Sequence, residues 1–274
     1  MTSPLVFALQ PSVWYRETTG KVPDPWQVAA MDSPAKRQIF NVCRQGGKSE
    51  VMAARLCHRA VFVPGSLCLA ISPTMRQSGE LFRRTLDLLK DERCTEDTKT
   101  QIGLPNKSRI VSLPGTEANV RGYAGVSLLC IDEAARIEPG LYEALSPMLA
   151  VSNGSLILSS TPWGPSGIFY EIWMSDSPGW EKTLITAPDC PRITPEFLEQ
   201  ERERMGLFFE QEYFGRFLAS ENSVFSLSQI QRILDDGVLP LFPENMEIDV
   251  PSGVSLKGIE PPRKPREFSI VGVR

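Results

Sequence analysis

The sequence predicts an α/β fold in which helices cover both faces of a parallel β-sheet. Strand-like and helix-like runs alternate through the first 185 residues, and this alternation is typical of parallel sheets joined by helical crossovers. Several of the strand-like runs are almost entirely apolar, as strands covered on both faces are. With 274 residues and 42% apolar content, the chain can form one large domain with a substantial core.

Five apolar or alternating runs are predicted as strands of this sheet. They cover residues 39–43, 67–72, 109–113, 127–131 and 155–159. A helix is predicted over 48–62, and residues 75–90 place leucine and phenylalanine at helical spacing after the second strand.

The character of the sequence changes after Pro191. Thr194 and Pro195 predict the N-cap and first residue of a helix that runs to about residue 205, and an aromatic-rich helix is predicted over 207–218. Further predictions are a helix over 226–235, a linker with six prolines over 237–266, and a strand over 267–273. These predictions divide the chain into residues 1–225, with a helical subdomain at about 191–225, and residues 226–274.

Composition excludes several classes of protein. A net charge of −4 argues against a general polyanion binder. No apolar run approaches the ~18 residues of a membrane span, and no basic residue precedes the short apolar run at the N-terminus, as a secretory signal requires. The six cysteines form no Cys-x-x-Cys pair, which in a chain of this length predicts free thiols in a reducing cytoplasm.

The segment 41–49, Asn-Val-Cys-Arg-Gln-Gly-Gly-Lys-Ser, predicts a phosphate-binding turn between a strand and a helix. The free N–H groups at the helix start, the Lys48 ammonium and the Ser49 hydroxyl suit the β- and γ-phosphate oxygens and Mg²⁺. The usual pattern has a glycine five residues before Gly47, where this sequence has Val42. An ordinary strand-turn-helix with a chance Gly-Lys-Ser is therefore the alternative interpretation of this segment alone.

Two other predicted strands end in groups that suit the same chemistry. Asp132 and Glu133 close the strand at 127–131, where one carboxylate can hold Mg²⁺ and the next can deprotonate a water. The strand at 155–159 runs into hydroxyls at Ser159, Ser160 and Thr161, which can sense a γ-phosphate and relay its loss. Solvated strand ends are the alternative interpretation of each motif.

As an ordered set, these motifs resemble the ATPase half of tailed-phage terminase large subunits. The resemblance rests on segments spread over about residues 20–225: 25–27 (Pro-Trp-Gln), 44–50, 72–74 with Gln77, 130–135, 159–164 and 211–217. Terminases commonly lack the first glycine of the phosphate loop and carry an arginine within it, as Arg44 does here.

The resemblance implies a P-loop NTPase fold of the RecA/ASCE type and a role for each matched residue. Lys48 binds phosphate, Ser49 and Asp132 hold Mg²⁺, and Glu133 activates water. Gln27 reads adenine, and Arg44 contacts the γ-phosphate or signals its state. Ser159, Ser160 and Thr161 couple hydrolysis to movement. The remaining members of the matched nucleotide-binding segment are Gln45, Gly46, Gly47 and Glu50.

Arg121, before Gly122, falls where some terminases place an arginine finger that reaches into a neighbouring subunit. An arginine finger neutralises the charge that develops on the transferred phosphoryl group. The alternative for Arg121 is a surface arginine before a glycine turn.

The implied function is ATP hydrolysis that drives double-stranded DNA into a procapsid. The implied setting is a homo-oligomeric ring on a portal protein, with a small terminase subunit, in the host bacterial cytoplasm and without a membrane. The family's nuclease domain opens with a strand and an aspartate, where this chain has Arg274, so nuclease activity is not expected of it.

Two other functions stay open at this point. One is a superfamily 2 helicase-like, DNA-dependent ATPase, although the ~50 residues after Phe225 are too few for the second RecA-like lobe that such enzymes need, given the usual sizes of domains. The other is a nucleotide-gated assembly module that binds ATP without turnover.

Overall fold

The computed structural model describes residues 3–90, 92, 94–115, 120, 122–138 and 140–218. Arg121 and the elements predicted at 226–235, 237–266 and 267–273 lie outside these residues and stay predictions.

One mixed sheet of eight strands forms the centre of the described chain, in the order β3-β4-β5-β2-β6-β7-β1-β8. The strands are β1 Arg37–Val42, β2 Leu67–Ser72, β3 Glu96–Asp97, β4 Gln101–Gly103, β5 Arg109–Pro114, β6 Val126–Asp132, β7 Ser155–Ser160 and β8 Glu181–Ile185. The six strands from β5 to β8 in this order are parallel, and β3 and β4 add an antiparallel edge. All five predicted strands are confirmed, with ends shifted by no more than about two residues.

The helices connect these strands and flank them in sequence. They are α1 Pro4–Leu9, α2 Pro11–Thr19, α3 Pro25–Asp32, α4 Lys48–Phe62, α5 Met75–Leu88, α6 Leu141–Leu145, α7 Ile168–Met174, α8 Pro195–Met205 and α9 Phe208–Phe214. Short 3₁₀ turns lie at Ala134–Arg136, Ser146–Leu149 and Ala187–Asp189. Within the described residues, no helix combines the length and the apolar character that crossing a bilayer requires.

Two apolar layers cover the sheet, one on each face. Phe40 and Val42 of β1 pack into a layer built with α2–α5 and α9. Ile39, which precedes Phe40, packs into the opposite layer with α6 and α7. Because successive strand residues point to opposite faces, strands buried in both layers are apolar almost throughout. The predicted arrangement of helices on both faces is confirmed.

Local signals set the ends of the helices that follow β8. The Thr194 hydroxyl accepts a hydrogen bond from the Phe197 backbone N–H at 3.3 Å and caps α8, as predicted. The final helix α9 ends at Phe214 rather than at residue 218, because the chain reverses at Gly215 with φ 68°. There the Asn41 side-chain amide donates to the Gly215 carbonyl at 2.8 Å, which ties the end of α9 to β1.

Candidate nucleotide-binding site

The site lies where three neighbouring strands end at one edge of the sheet. The register pairs Asn41 of β1 with Ser160 of β7, and Ser159 of β7 with Asp132 of β6. The strand β7 therefore lies between the strand that enters the glycine-rich loop and the strand that ends in two carboxylates. Three motifs that are distant in sequence are thus brought to the same edge.

The loop after β1 is a tight turn that requires glycine. A Cβ at Gly46 would lie 2.5 Å from the Val42 side chain, and one at Gly47 would lie 2.4 Å from the Gln27 amide nitrogen. Gln45 and Gly47 have positive φ angles of 60° and 94°. Directly after this turn α4 begins, and the first N–H groups of a helix have no intrahelical partner. The loop therefore offers backbone donors at an open edge, as a phosphate requires.

Lys48 and Ser49 connect this loop to the structure around it. The Lys48 side chain is buried, and its ammonium donates to the carbonyls of Val42 at 3.0 Å and Cys43 at 3.4 Å. The Ser49 hydroxyl donates to the Asp132 carboxylate at 3.4 Å. The hydroxyl and carboxylate predicted to share a metal ion are therefore neighbours.

The environment of Asp132 disfavours its negative charge. Burial, and then the charge of Glu133, raise the pKa of Asp132 to about 6, while Lys48 and Ser49 lower it. A buried carboxylate of this kind suits a bound cation. Among the described residues, no cluster of three or more His, Cys, Asp or Glu side chains forms a metal site. The oxygen pair from Ser49 and Asp132 fits Mg²⁺, which is usually held by one or two protein ligands together with substrate phosphates and waters.

The shifted pKa of Asp132 predicts a gain in stability for Asp132→Asn without nucleotide. The folded-state pKa of about 6 lies above the usual value of 3.8, so stability supplied by the neutral carboxyl is lost as pH rises from about 4 to about 6. We expect Asp132→Asn to raise the free energy of unfolding at pH 7 by about 1–3 kcal/mol. Urea unfolding of both proteins from pH 4 to pH 7 measures the difference, which should shrink toward pH 4. A difference that grows toward pH 4 would contradict the assignment.

Glu133 has a backbone conformation that glutamate rarely adopts, with φ 50° and ψ 44°. Left-handed geometry of this kind is unfavourable for a residue with a Cβ and is found mainly at functional sites. Its carboxylate accepts a hydrogen bond from the Ser160 hydroxyl at 3.4 Å and lies 3.8 Å from the Arg136 guanidinium. Glu133 lines one open cleft together with Arg44, Lys48 and Ser49. The turn thus directs the second carboxylate of the motif toward the loop.

Two other residues of the predicted binding set make contacts within the protein. The buried Gln27 amide accepts from the Asp24 backbone N–H at 2.9 Å and donates to the Gly47 carbonyl at 3.3 Å. Gln27 therefore stabilises the phosphate loop through its hydrogen bond to Gly47. Recognition of adenine by Gln27 stays a prediction. The Glu50 carboxylate is paired with Lys21 at 3.2 Å and with Arg84 at 2.9 Å, beside the same cleft.

The three hydroxyl residues at the end of β7 are all buried: Ser159 and Ser160 close the strand, and Thr161 follows it. The Ser160 hydroxyl reaches Glu133, whereas the Ser159 hydroxyl has no hydrogen-bond partner among the described residues. Thr161 directly follows the last residue of β7. The strand that separates the loop from the two carboxylates thus ends in a hydroxyl, that of Ser160, which contacts Glu133.

Three charged residues near the loop were not predicted from the sequence. Glu212 of α9 lies 3.4 Å from the Arg44 guanidinium and 3.5 Å from that of Arg136. Arg192 donates to the Gly46 carbonyl at 3.4 Å and pairs with Asp24 at 2.7 Å. The only signals in the sequence were the place of Glu212 in the segment 211–217 and the three-residue spacing of Arg136 from Glu133.

Comparisons with known proteins find similarity to terminase large subunits. The family model for the terminase large subunit, T4likevirus-type, N-terminal, matches residues 39–232. The terminase large subunit of Thermus phage G20c is 31% identical over 262 residues, a match that covers 80% of this chain and 53% of that protein. The chain spans about half the length of the curated relatives it matches.

Solved structures show the same fold. The large terminase ATPase domain of Thermus phage P74-26 superposes with a TM-score of 0.67 at 25% identity, over 77% of this chain and 100% of that domain. A large terminase from a thermophilic bacteriophage, solved in complex with ATP-γ-S, has a TM-score of 0.59 at 16% identity and covers 71% of this chain and 53% of that protein.

Proposed function

The chain belongs to the terminase large-subunit family, and on that premise we propose that it hydrolyses ATP to drive double-stranded DNA into a viral procapsid. The observation that carries the proposal is the meeting of Lys48 and Ser49 with Asp132 and Glu133 at adjacent strand ends. A phosphate-binding loop beside paired carboxylates supplies the groups that phosphoryl transfer to water requires.

The loop and α4 bind the triphosphate in this proposal. The Lys48 ammonium exchanges its carbonyl partners for the β- and γ-phosphate oxygens, and the backbone N–H groups of the turn hold the same oxygens. Ser49 and Asp132 hold Mg²⁺, which when bound neutralises charge on the phosphates. Asp132 is ionised in that complex, because a dication lowers the pKa of a carboxyl that it contacts.

Glu133 is the general base of the proposed reaction. It orients the attacking water and accepts its proton as the bond to the γ-phosphorus forms and the bond to the leaving ADP oxygen breaks. Its left-handed turn directs the carboxylate into the cleft lined by Lys48 and Ser49. Arg44 lines the same cleft with an exposed side chain and supplies positive charge at the γ-phosphate.

The hydroxyls at the end of β7 couple hydrolysis to movement in this proposal. Ser160 contacts Glu133, and β7 is paired with both β1 and β6. A change at the γ-phosphate therefore reaches the end of β7, at Ser159, Ser160 and Thr161, through the hydrogen bond between Glu133 and Ser160. In this proposal, product release shifts the position of this strand end.

The partners follow from the family and are part of the proposal. They are double-stranded DNA, further copies of this chain in a ring on a portal protein, and a small terminase subunit, in the cytoplasm of the bacterial host. The proposed contacts of such a ring with DNA are made to phosphates, and contacts of this kind weaken as the salt concentration rises.

Phosphate release by the purified chain tests this function. We expect Mg²⁺-dependent ATP hydrolysis that rises with protein concentration and with added linear duplex DNA, and whose DNA-dependent part falls as salt increases. Lys48→Ala is the negative control, because it removes the phosphate-binding ammonium. Binding of ATP without turnover, even with concentrated protein and DNA, would instead support an assembly module. Stimulation by single-stranded DNA alone would support a helicase-like enzyme.

A further inference from the structure

We propose that Glu212 is a positioning residue that links Arg44 of the phosphate loop to the general base Glu133 through Arg136. The inference rests on the proposed function and adds a regulatory step to it. When a γ-phosphate attracts Arg44, Glu212 draws Arg136 away from Glu133, and the base becomes free to orient water.

The Glu212 carboxylate is almost fully buried and is shared by two arginines. Its side chain is 8% exposed, with one oxygen 3.4 Å from the Arg44 guanidinium and the other 3.5 Å from that of Arg136. The Arg44 side chain is 59% exposed and lines the cleft. Arg44 is thus the partner that a ligand in the cleft can reach, while Glu212 is closed off from water.

Arg136 lies between two carboxylates. Its guanidinium is 3.5 Å from Glu212 and 3.8 Å from Glu133. The same group lies 4.3 Å from the centre of the Trp163 ring, where cation–π attraction keeps it close to the ring face. Small shifts of Arg136 along this face therefore transfer its charge from one carboxylate to the other.

The backbone attaches Glu212 to the segment that carries Arg44. The Arg44 N–H donates to the Glu212 carbonyl at 2.9 Å, and Asn41 holds the Gly215 carbonyl at 2.8 Å. Both bonds join α9 to the segment that runs from β1 into the loop. Because of this attachment, Glu212 keeps its place while the side chain of Arg44 changes partner.

Charge balance gives the direction of the change. With Arg44, Arg136, Glu133 and Glu212 together, two positive charges face two negative charges. A triphosphate that pairs with Arg44 leaves the buried Glu212 with one partner, and a buried carboxylate that loses a partner is strongly destabilised. When Arg136 moves closer to Glu212, it compensates the charge that Arg44 no longer pairs with. The contact between Arg136 and Glu133, which is the longer of the two, is then lost.

The test combines Glu212→Gln with a second substitution, Arg136→Gln, which removes the guanidinium that pairs with Glu133. We expect Glu212→Gln to lower kcat by about 10- to 100-fold, because the base stays paired with Arg136. The Kd for ATP-γ-S should change by less than about threefold, because the carboxylate does not touch the nucleotide. Adding Arg136→Gln to this variant should recover most of the lost kcat. Single-turnover phosphate release and equilibrium binding of ATP-γ-S measure the two quantities.

Glu210→Gln is the matched control. Glu210 lies on the same helix and pairs with the exposed Arg216 at 3.2 Å, so its loss should leave kcat unchanged. If Glu212→Gln lowers the unfolding temperature, Glu212→Asp is used in its place, because it retains the charge on a shorter side chain. Its kcat should lie between those of the wild type and Glu212→Gln.

Three results would overturn the inference while the proposed function stands. They are a wild-type kcat in Glu212→Gln, parallel losses of kcat and ATP-γ-S affinity, and a double variant as slow as Glu212→Gln. Absence of turnover in the wild-type chain would overturn the proposed function and the inference together.

Discussion

Replacing Glu133 by glutamine should lower kcat for ATP hydrolysis by about 10²–10⁴-fold, while ATP binding is retained. The glutamine side chain has the same size and can keep the hydrogen bond from Ser160, but it cannot accept the proton of the attacking water. The effect should fall almost entirely on the chemical step, because Lys48 and the loop bind the phosphates independently of Glu133.

Phosphate release under saturating ATP and binding of ATP-γ-S together measure this effect. Glu143→Gln is a suitable control, since Glu143 is an exposed residue of α6 outside the lining of the cleft. A Glu133→Gln protein that hydrolyses ATP within about tenfold of wild type would show that another group is the base.

Replacing Arg121 by alanine should lower ATP hydrolysis in the assembled state by about 10³–10⁵-fold, as expected for loss of an arginine finger. The prediction comes from the sequence, because Arg121 lies outside the described residues. If the finger acts on the neighbouring subunit, the wild-type rate per chain should also rise with protein concentration until assembly is complete.

Mixing two inactive variants tests whether Arg121 acts between subunits. Arg121→Ala leaves the site of its own chain intact, and Glu133→Gln leaves the finger intact. In a mixed assembly, Arg121→Ala sites receive a finger from Glu133→Gln neighbours, so activity should return. Arg83→Ala, which removes an exposed arginine paired with Glu80, is the control. Two variants that stay inactive when mixed, with a wild-type rate independent of concentration, would show that Arg121 does not act in trans.

The sheet was predictable to the extent that its strands are buried on both faces. The apolar run at Leu67–Ser72 was predicted with its observed bounds, because every residue of β2 is buried. The strand β8 was not predicted. Four of its five residues, Glu181–Leu184, keep some exposure to solvent, so an edge strand of this kind has no apolar run. The strands β3 and β4 have two and three residues, too few for a pattern to emerge.

The N-terminal helices were not predictable for a different reason. The helices α1–α3 have six, nine and eight residues, and helices this short are barely stable without tertiary packing. Trp14 and Tyr15 of α2 supply that packing, since both are buried in the layer that contains α4. The information that stabilises these helices lies in contacts with residues far along the chain.

The same distinction applies to the site. The turn at Gly46–Gly47 and the carboxylates after β6 were predictable because each motif is local and follows a strand. The places of Glu212 and Arg136 were not, because the pairing of Glu212 with Arg44 and Arg136 forms only when α9 packs beside the loop. Gln27 is the opposite case. Its motif predicts contact with adenine, but its side-chain amide is hydrogen-bonded here to backbone groups of Asp24 and Gly47.

The position of β7 has a mechanical consequence. Because this strand is hydrogen-bonded on both sides, it can separate only if two ladders rupture together. Within the described part of the chain, the outermost strands β3 and β8 each pair with one neighbour. Tension applied to such a domain strains its periphery before its centre, since local opening begins where bonding is sparse. We therefore expect the reacting groups to keep their spacing under a pulling force that deforms the outer parts of the molecule.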